Sequence, residues 1–419
     1  MSNAGSDRPR LILGGWLFDG IGPPVADAAV LVVGRVVSAA GRREVVGAPP
    51  DAELIDLGDR SILPGLIDAH LHFQGFRRGG AVWPDAAVDA IRATAEARRV
   101  LESGFTTVRD CGSANGVALR VAIEEGSVVG PRILAAGPPI TQTGGHADWH
   151  DTPYELMSLL TAHTIVADGV DACRQAVRRV LRGGADLVKI CATGGVGSPR
   201  THMLDEHFTV DEIRTMVEEA HRAGKPVAAH AQGKTGALMA IRASVDTIEH
   251  GYFIDDECIE AMLRHGTALV PTFGLIRFFR RSLDDPGGLP AWRVDKQREC
   301  IEAMAASFPR AAAAGVPIAT GSDTYGIAGR ELGTGSEELV AMVQDGGVEA
   351  SIVLGWATSG GARVLGVADR VGALAPGLEA DLIAVDGRPW EDIETIRRVE
   401  FVMSGGRTVH AVPAVTAAT

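Results

Sequence analysis

Six side chains able to hold a cation or move a proton recur in or at the ends of apolar, β-branched runs: His70, His72, Lys189, His230, His250 and Asp323. His70 and His72 stand two apart in Ile67-Asp68-Ala69-His70-Leu71-His72, and alternate residues of a strand share one face. Two imidazoles on one face can reach one ion, as nitrogen ligation of a divalent metal requires. A lone His-x-His triplet reads equally well as two ordinary core or surface histidines. Recurrence decides between the two readings, because four of the 12 histidines fall on three separate runs, with Lys189 and Asp323 on two more. The pattern reads as a metal site at the mouth of a parallel β-barrel. There, a bound divalent ion lowers the pKa of a coordinated water and makes hydroxide available at neutral pH.

Such a site needs strands to carry it. Eight short runs qualify: 62–73, 106–110, 132–140, 187–192, 226–231, 247–250, 268–272 and 317–323. Between them lie apolar positions with a period near 3.6, such as Ile213, Met216, Val217 and Ala220. Thr209 with Glu212 forms a capping box before that helix, and Gly224 followed by Pro226 ends it. Strand alternating with helix eight times predicts parallel pairing and an α/β fold of the (β/α)8 TIM-like barrel class over 61–370. The ligand candidates fall at the C-terminal ends of the strands, the catalytic face of such barrels. Residues 8–60 and 371–412 instead hold short alternating runs broken by Gly and Pro. We read 1–60 and 371–419 as one small β-sandwich assembled from both termini.

Composition narrows the function classes. The chain has 419 residues, a net charge of -13 from 40 Lys+Arg against 53 Asp+Glu, and 5% aromatic residues with 52 Gly. No basic footprint points to nucleic acid or an anionic membrane. No apolar stretch is long enough to span a bilayer, and Met1 to Arg10 lacks the apolar region of a signal peptide. Five scattered cysteines without CxxC pairs suit reduced thiols in a cytoplasmic protein.

The chain resembles the amidohydrolase superfamily over nearly its full length. The resemblance is carried by Gly65-Leu66-Ile67-Asp68-Ala69-His70-Leu71-His72, Ala229-His230-Ala231, Ile248-Glu249-His250-Gly251, Gly321-Ser322-Asp323-Thr324 and the run from Gly372 to Leu382. Val188-Lys189-Ile190 before Ala192-Thr193-Gly194-Gly195, with Thr143-Gly144-Gly145-His146, is similar to the imidazolonepropionase-related branch, which includes Xaa-Pro dipeptidase-like and N-acyl-amino-acid hydrolases. The resemblance implies two divalent ions, zinc by expectation. His70, His72 and Asp323 would hold one, His230 and His250 the other, and N-carboxylated Lys189 would bridge them. An amine among imidazoles and cations is repelled, whereas a carbamate supplies two anionic oxygens, and a buried amine loses its proton readily. Asp323 would take the nucleophile's proton and deliver it to the leaving amine, and His146 would polarise the substrate carbonyl. A homo-oligomer is also implied.

Substrate contacts are less directly written. The loop from Gly194 to Phe208 carries Arg200, which either grips a substrate carboxylate bidentately or is a solvated loop residue. Tyr325, Trp149, Phe273, Phe278 and Phe279 lie near strand ends, where they either line an apolar pocket or pack loops. Gln232 shares a face with His230 where related peptidases often carry Tyr or His; a neutral amide there weakens the case for a carboxylate contact. Cys191 also faces the site, but with no adjacent base it reads as packing. The expected function is metal-dependent hydrolysis of an amide in a small molecule, a dipeptide or N-acyl amino acid. A cyclic amide, a carbamate or an aryl amide on the same site is the alternative. A non-catalytic scaffold is disfavoured by the complete set of six.

Overall fold

The computed structural model describes residues 8–75, 85–284, 287–327 and 329–412. Both ends of the chain enter one eight-stranded sheet. It contains β1 (Arg10–Leu17), β2 (Val25–Val33), β3 (Val36–Arg42), β4 (Glu53–Asp56) and β5 (Ser61–Pro64), joined by β15 (Leu382–Val385), β16 (Val399–Ser404) and β17 (Arg407–Ala411). The hydrogen-bonded order is β17-β16-β15-β5-β1-β2-β3, with β4 also on β1. Alternation in these strands serves two cores. Ile12, Val30, Leu382, Ala384 and Phe401 turn to a small core of the sheet itself. Leu63, Ile383, Val385 and Val402 turn to the large core of the rest of the chain. The ladder is continuous, and its two halves, β1–β3 and β15–β16, share that small core.

The expected first strand, 62–73, is two strands. β5 pairs antiparallel with β15, from Leu382↔Pro64 to Val385↔Ser61. β6 (Leu66–Leu71) instead pairs parallel with β7 (Phe105–Asp110). The partner changes at Gly65, whose N–H donates to Asp381 O at 2.9 Å while Leu66 N–H donates to Gly104 O at 2.9 Å. A Cβ on Gly65 would lie 2.1 Å from Thr106 Oγ1, so only glycine fits the crossing.

The remainder is a TIM-barrel-like α/β fold of parallel strands and covering helices. β6, β7 and β8 (Arg132–Ala135) form one ladder. The other has the order β10-β9-β11-β12-β13-β14, from β9 (Ile140–Thr141), β10 (Ile165–Val166), β11 (Val188–Cys191), β12 (Val227–Ala231), β13 (Thr247–His250) and β14 (Ala268–Val270). The expected third strand, 132–140, is therefore divided between β8 and β9. The expected eighth, 317–323, forms no extended ladder: it makes isolated parallel bridges from Ile318 to Leu269 and from Thr324 to Leu71. Its backbone still links the two ladders, since Leu269 N–H donates to Pro317 O at 2.8 Å and Ala69 N–H to Thr320 O at 2.7 Å.

Helices α1 (Ala86–Glu102), α2 (Gly116–Glu124), α3 (Val170–Arg182), α4 (Val210–Arg222), α5 (Lys234–Arg242) and α6 (Asp256–His265) alternate with these strands. In α4 the Thr209–Glu212 capping box forms, and Ile213, Met216, Val217 and Ala220 are its buried stripe. After β14 come α7 (Phe273–Asp284), α8 (Ala291–Ala313) and α9 (Ser336–Gln344). α7 and α8 bring Leu275, Phe279 and Arg293 to the rim where the histidines meet.

Candidate metal centre

His70 is at the end of β6 and His72 just beyond it; both rings turn toward Asp323. His70 Nε2 lies 3.7 Å and His72 Nε2 3.2 Å from the same oxygen, Asp323 Oδ1. The backbone fixes this meeting, because Asp323 N–H donates to His70 O at 2.6 Å. Asp323 and His250 have φ of 51° and 73°, a left-handed conformation that non-glycine residues adopt at a cost of order 1–3 kcal/mol. Thr272, at φ 50°, is another such residue, and its hydroxyl hydrogen-bonds His250 Nδ1 at 2.9 Å. His230 in β12 completes the group, its ring 4.6 Å from that of His250 and stacked at 4.1 Å on that of His146.

The hydrogen bonds behind the rings set which nitrogen faces forward. His70 Nδ1 lies 2.6 Å from Glu249 Oε2, and Arg109 Nη2 reaches the other oxygen of Glu249 at 2.7 Å. Burial pushes the Glu249 carboxyl up, but Arg109 and His70 outweigh it and hold it well below the usual range. Burial and then the nearby Lys189 push His70 down to about 4, so it is a neutral ring that donates through Nδ1. His72 Nδ1 faces Gly112 O at 2.8 Å; a carbonyl only accepts, so this nitrogen too carries the proton. The forward Nε2 atoms of both rings meet at one carboxylate oxygen, an arrangement that a shared cation would fit.

The rest of the donor set points the same way. His70, His250 and Asp323 offer ligand atoms within 4.8 Å of one another. Burial comes first in lowering His230 and His250 well below the ordinary imidazole range, so both are unprotonated donors. At Asp323 burial is outweighed by Arg330 and then His72 and His70, which hold it ionised. Lys189 Nζ is buried with no hydrogen-bond partner. Leaving a buried amine without acceptors is costly, and a carbamate on that nitrogen would give it ligating oxygens instead. His70, Cys111 and Glu249 make a second close group, but burial pushes the Cys111 thiol up to about 12 and Glu249 is taken by Arg109. These residues back the site rather than form another.

The histidines floor a cavity of about 350 Å³ bounded by Gln232, Leu275, Phe279, Tyr325, Arg293 and Arg330, and they also border an inner chamber of about 190 Å³ that reaches Lys189, Cys191 and Trp149. Gln232 Oε1 is buried there without a partner. His146 Nδ1 lies 2.7 Å from Ser198 Oγ, and burial, then His207 and Lys189, push its ring down to about 3. Cys191 is raised to about 11 by burial, which suits packing. Arg200 is a correction: it is exposed and borders a separate depression with Thr143, Asp148 and Trp149. Its loop is instead held by Lys296 of α8, whose ammonium donates to the carbonyls of Ser198 at 2.8 Å and of Thr201. Phe273 likewise packs in the core against Phe308, not on the cavity.

Sequence reasoning passed over Arg109, Glu249, Arg330 and Lys296. For the first two a signal existed: charged residues inside buried apolar strands, Thr107-Val108-Arg109 and Thr247-Ile248-Glu249, have to be paired. Arg330 and Lys296 arrive from loop and helix segments with no such flag.

Comparison with known proteins agrees with this geometry. Ochratoxinase of Aspergillus niger is 29% identical over 428 residues, spanning 96% of this chain and 86% of that protein. Imidazolonepropionase of Rhizobium rhizogenes is 25% identical, spanning 88% and 90%. The crystal structure of a Xaa-Pro dipeptidase with methionine bound in its active site superposes with a TM-score of 0.88 at 33% identity, covering 96% of this chain and all of that one. Residues 61–409 match the model of the amidohydrolase family. With the histidine and aspartate donors gathered in one rim and a family match over most of its length, the chain belongs to the amidohydrolase family.

Proposed function

We propose that this chain is a metal-dependent hydrolase of an amide bond in a dipeptide or N-acyl amino acid, working on a closed (β/α)8 barrel. The observation that carries the reading is the convergence of two imidazole nitrogens on one oxygen of Asp323 beside the unpartnered amine of Lys189. His70, His72 and Asp323 would hold one divalent ion and His230 with His250 the other, with carboxylated Lys189 between them. Zinc is the ion we expect. When bound, such ions supply an ionised water at neutral pH and polarise a carbonyl.

The chain's own residues do the remainder. Asp323 is ionised, stands at the cavity floor and is the group available to take a proton and return it to the leaving amine. His146 is neutral, and its Nε2 is the atom left to donate to the substrate carbonyl. That role requires the Ser198 hydroxyl to give its proton to His146 Nδ1 at 2.7 Å rather than to His146 O at 2.9 Å. The neighbouring Xaa-Pro dipeptidase, with an amino acid in its active site, supports a substrate of amino-acid size. A second reading, hydrolysis of an aryl amide, a cyclic amide or a carbamate, rests on Leu275, Phe279 and Tyr325 in the same cavity. No helix among the described residues is long and apolar enough to cross a membrane. Five free, buried cysteines support a reducing compartment, the cytoplasm.

The test is elemental analysis of purified protein, followed by a screen of dipeptides and N-acyl amino acids against aryl amides, cyclic amides and carbamates. We expect about two divalent ions per chain and turnover of the first group. Metal-free protein with full activity would falsify the proposal.

A further inference from the structure

The loop that lies against His146 is fastened by one buried cation. Lys296 of α8 is 7% exposed, and its ammonium donates to the carbonyls of Ser198 at 2.8 Å, of Gly195 at 3.4 Å and of Thr201. Three carbonyls are as many as an ammonium can serve. The amine also lies 5.0 Å from the ring centroid of Trp292 on its own helix. A second tie from α8, Glu299 to His202 at 3.2 Å, joins two exposed side chains, and an ion pair of that kind contributes little.

What this clamp holds is the surround of His146. Ser198 Oγ is 2.7 Å from His146 Nδ1 and 2.9 Å from His146 O. A Cβ on Gly195 would lie 2.4 Å from His146 Cε1, so the backbone there rests directly on the ring. Two of the three carbonyls gripped by Lys296 therefore belong to residues in contact with that imidazole. Val196, Gly197 and Ser198 also form part of the cavity wall, whereas Lys296 borders neither chamber.

We infer that Lys296 is a positioning residue, which holds the 195–201 turn so that Ser198 Oγ stays on His146 Nδ1 and leaves Nε2 to face the substrate carbonyl. The inference rests on the amide-hydrolase reading for the role of His146. It adds to that reading a cation that touches neither the ligand set nor the substrate. Without it three buried carbonyls lose their donor and the turn moves off the ring; a displacement of roughly 1 Å at a reacting group costs about a hundredfold in rate.

The test follows the His146 ring directly, by nitrogen NMR of the full, metal-loaded chain with isotope-labelled histidine. The His146 signals are those that vanish in His146→Gln, and they should show one neutral tautomer with its proton on Nε2. In Lys296→Met, and equally in Ser198→Ala, the two nitrogen shifts should converge toward those of a ring exchanging between tautomers. With N-acetyl-leucine, kcat should fall about 10- to 100-fold in Lys296→Met while KM stays within about threefold. The same change made in His146→Gln should cost less than about threefold, because the ring it positions is gone. Thermal unfolding checks each variant. If Lys296→Met does not fold, Lys296→Gln, whose amide still donates, replaces it and should move the ring the same way by less. Nitrogen shifts that stay in place, or an equal loss of kcat with and without His146, overturn the positioning role. Converging shifts with no turnover of any amide support it and overturn the hydrolase reading instead.

Discussion

Asp323 is where the demands on single side chains are heaviest. One of its oxygens faces two imidazole nitrogens and the other faces Arg330, all on a backbone in the left-handed region. Replacement by Asn keeps the shape and removes the charge that moves a proton. Asp323→Asn should retain much of its bound metal while losing at least about a hundredfold in turnover. Elemental analysis with steady-state rates checks this, and near-normal rates would remove the aspartate from proton transfer. Glu249 acts one layer back, orienting His70. Glu249→Gln weakens the acceptor that keeps the His70 proton on Nδ1, so metal affinity should fall about 10- to 100-fold. Competition with a chelator measures it. The gathering of His70, His72, His230, His250 and Asp323 in one rim was legible in the sequence because each lies in or just after an apolar run. Arg330 was not, since a loop arginine looks the same in sequence whether it is buried or solvated.

Among the elements, the strands that carry ligands were read where local pattern and tertiary pairing agree, as in β13, Thr247–His250. Pattern failed where the partner changes inside an unbroken apolar run. Leu63 and Ile67 are both buried, yet they belong to different sheets. Nothing in hydrophobicity marks that change; only Gly65 does. The 317–323 segment was misjudged for a related reason, because its close passage by His70 allows bridges but no ladder. Gly321 has no room there, as a Cβ on it would lie 2.7 Å from His70 Cβ.

A buried acid in α9 gives this region a pH dependence. Glu338 accepts from Gly274 N–H, and burial raises its carboxyl from 4.5 to about 8. The folded state therefore holds a proton that the unfolded state gives up between those values. This group's contribution to stability falls as pH rises from about 4.5 to 8, by on the order of a few kcal/mol. Glu338→Gln should be more stable than the parent at pH 8, with a flatter profile from pH 5 to 8. Urea unfolding at several pH values tests it, and parallel profiles would refute the assignment.

At the scale of the whole molecule, Arg132 ties the terminal sheet to the barrel-like body. From β8 it reaches Asp381 Oδ2 at 2.8 Å, Glu379 Oε2 at 2.5 Å and, within the body, Thr107 Oγ1 at 3.0 Å. Asp381 is itself buried and also accepts from Gly405 N–H. Arg132→Ala leaves that carboxylate without its counter-charge and should cost about 3 kcal/mol. Denaturant unfolding followed both by tryptophan emission and by metal release should show one shared, shifted transition; separate transitions would mean that the two parts fold independently.

The partner change at Gly65 has a mechanical side. The strand that ends in the outer sheet at Pro64 continues, without a loop, into the one that delivers His70. Tension applied to the C-terminal tail would pass through β15 to β5 and arrive at the first histidine before any connecting segment could stretch. Tethers, surface immobilisation or fusions at that tail would accordingly be felt in ion retention, whereas cargo attached at the exposed tip beside Val45 would leave it alone.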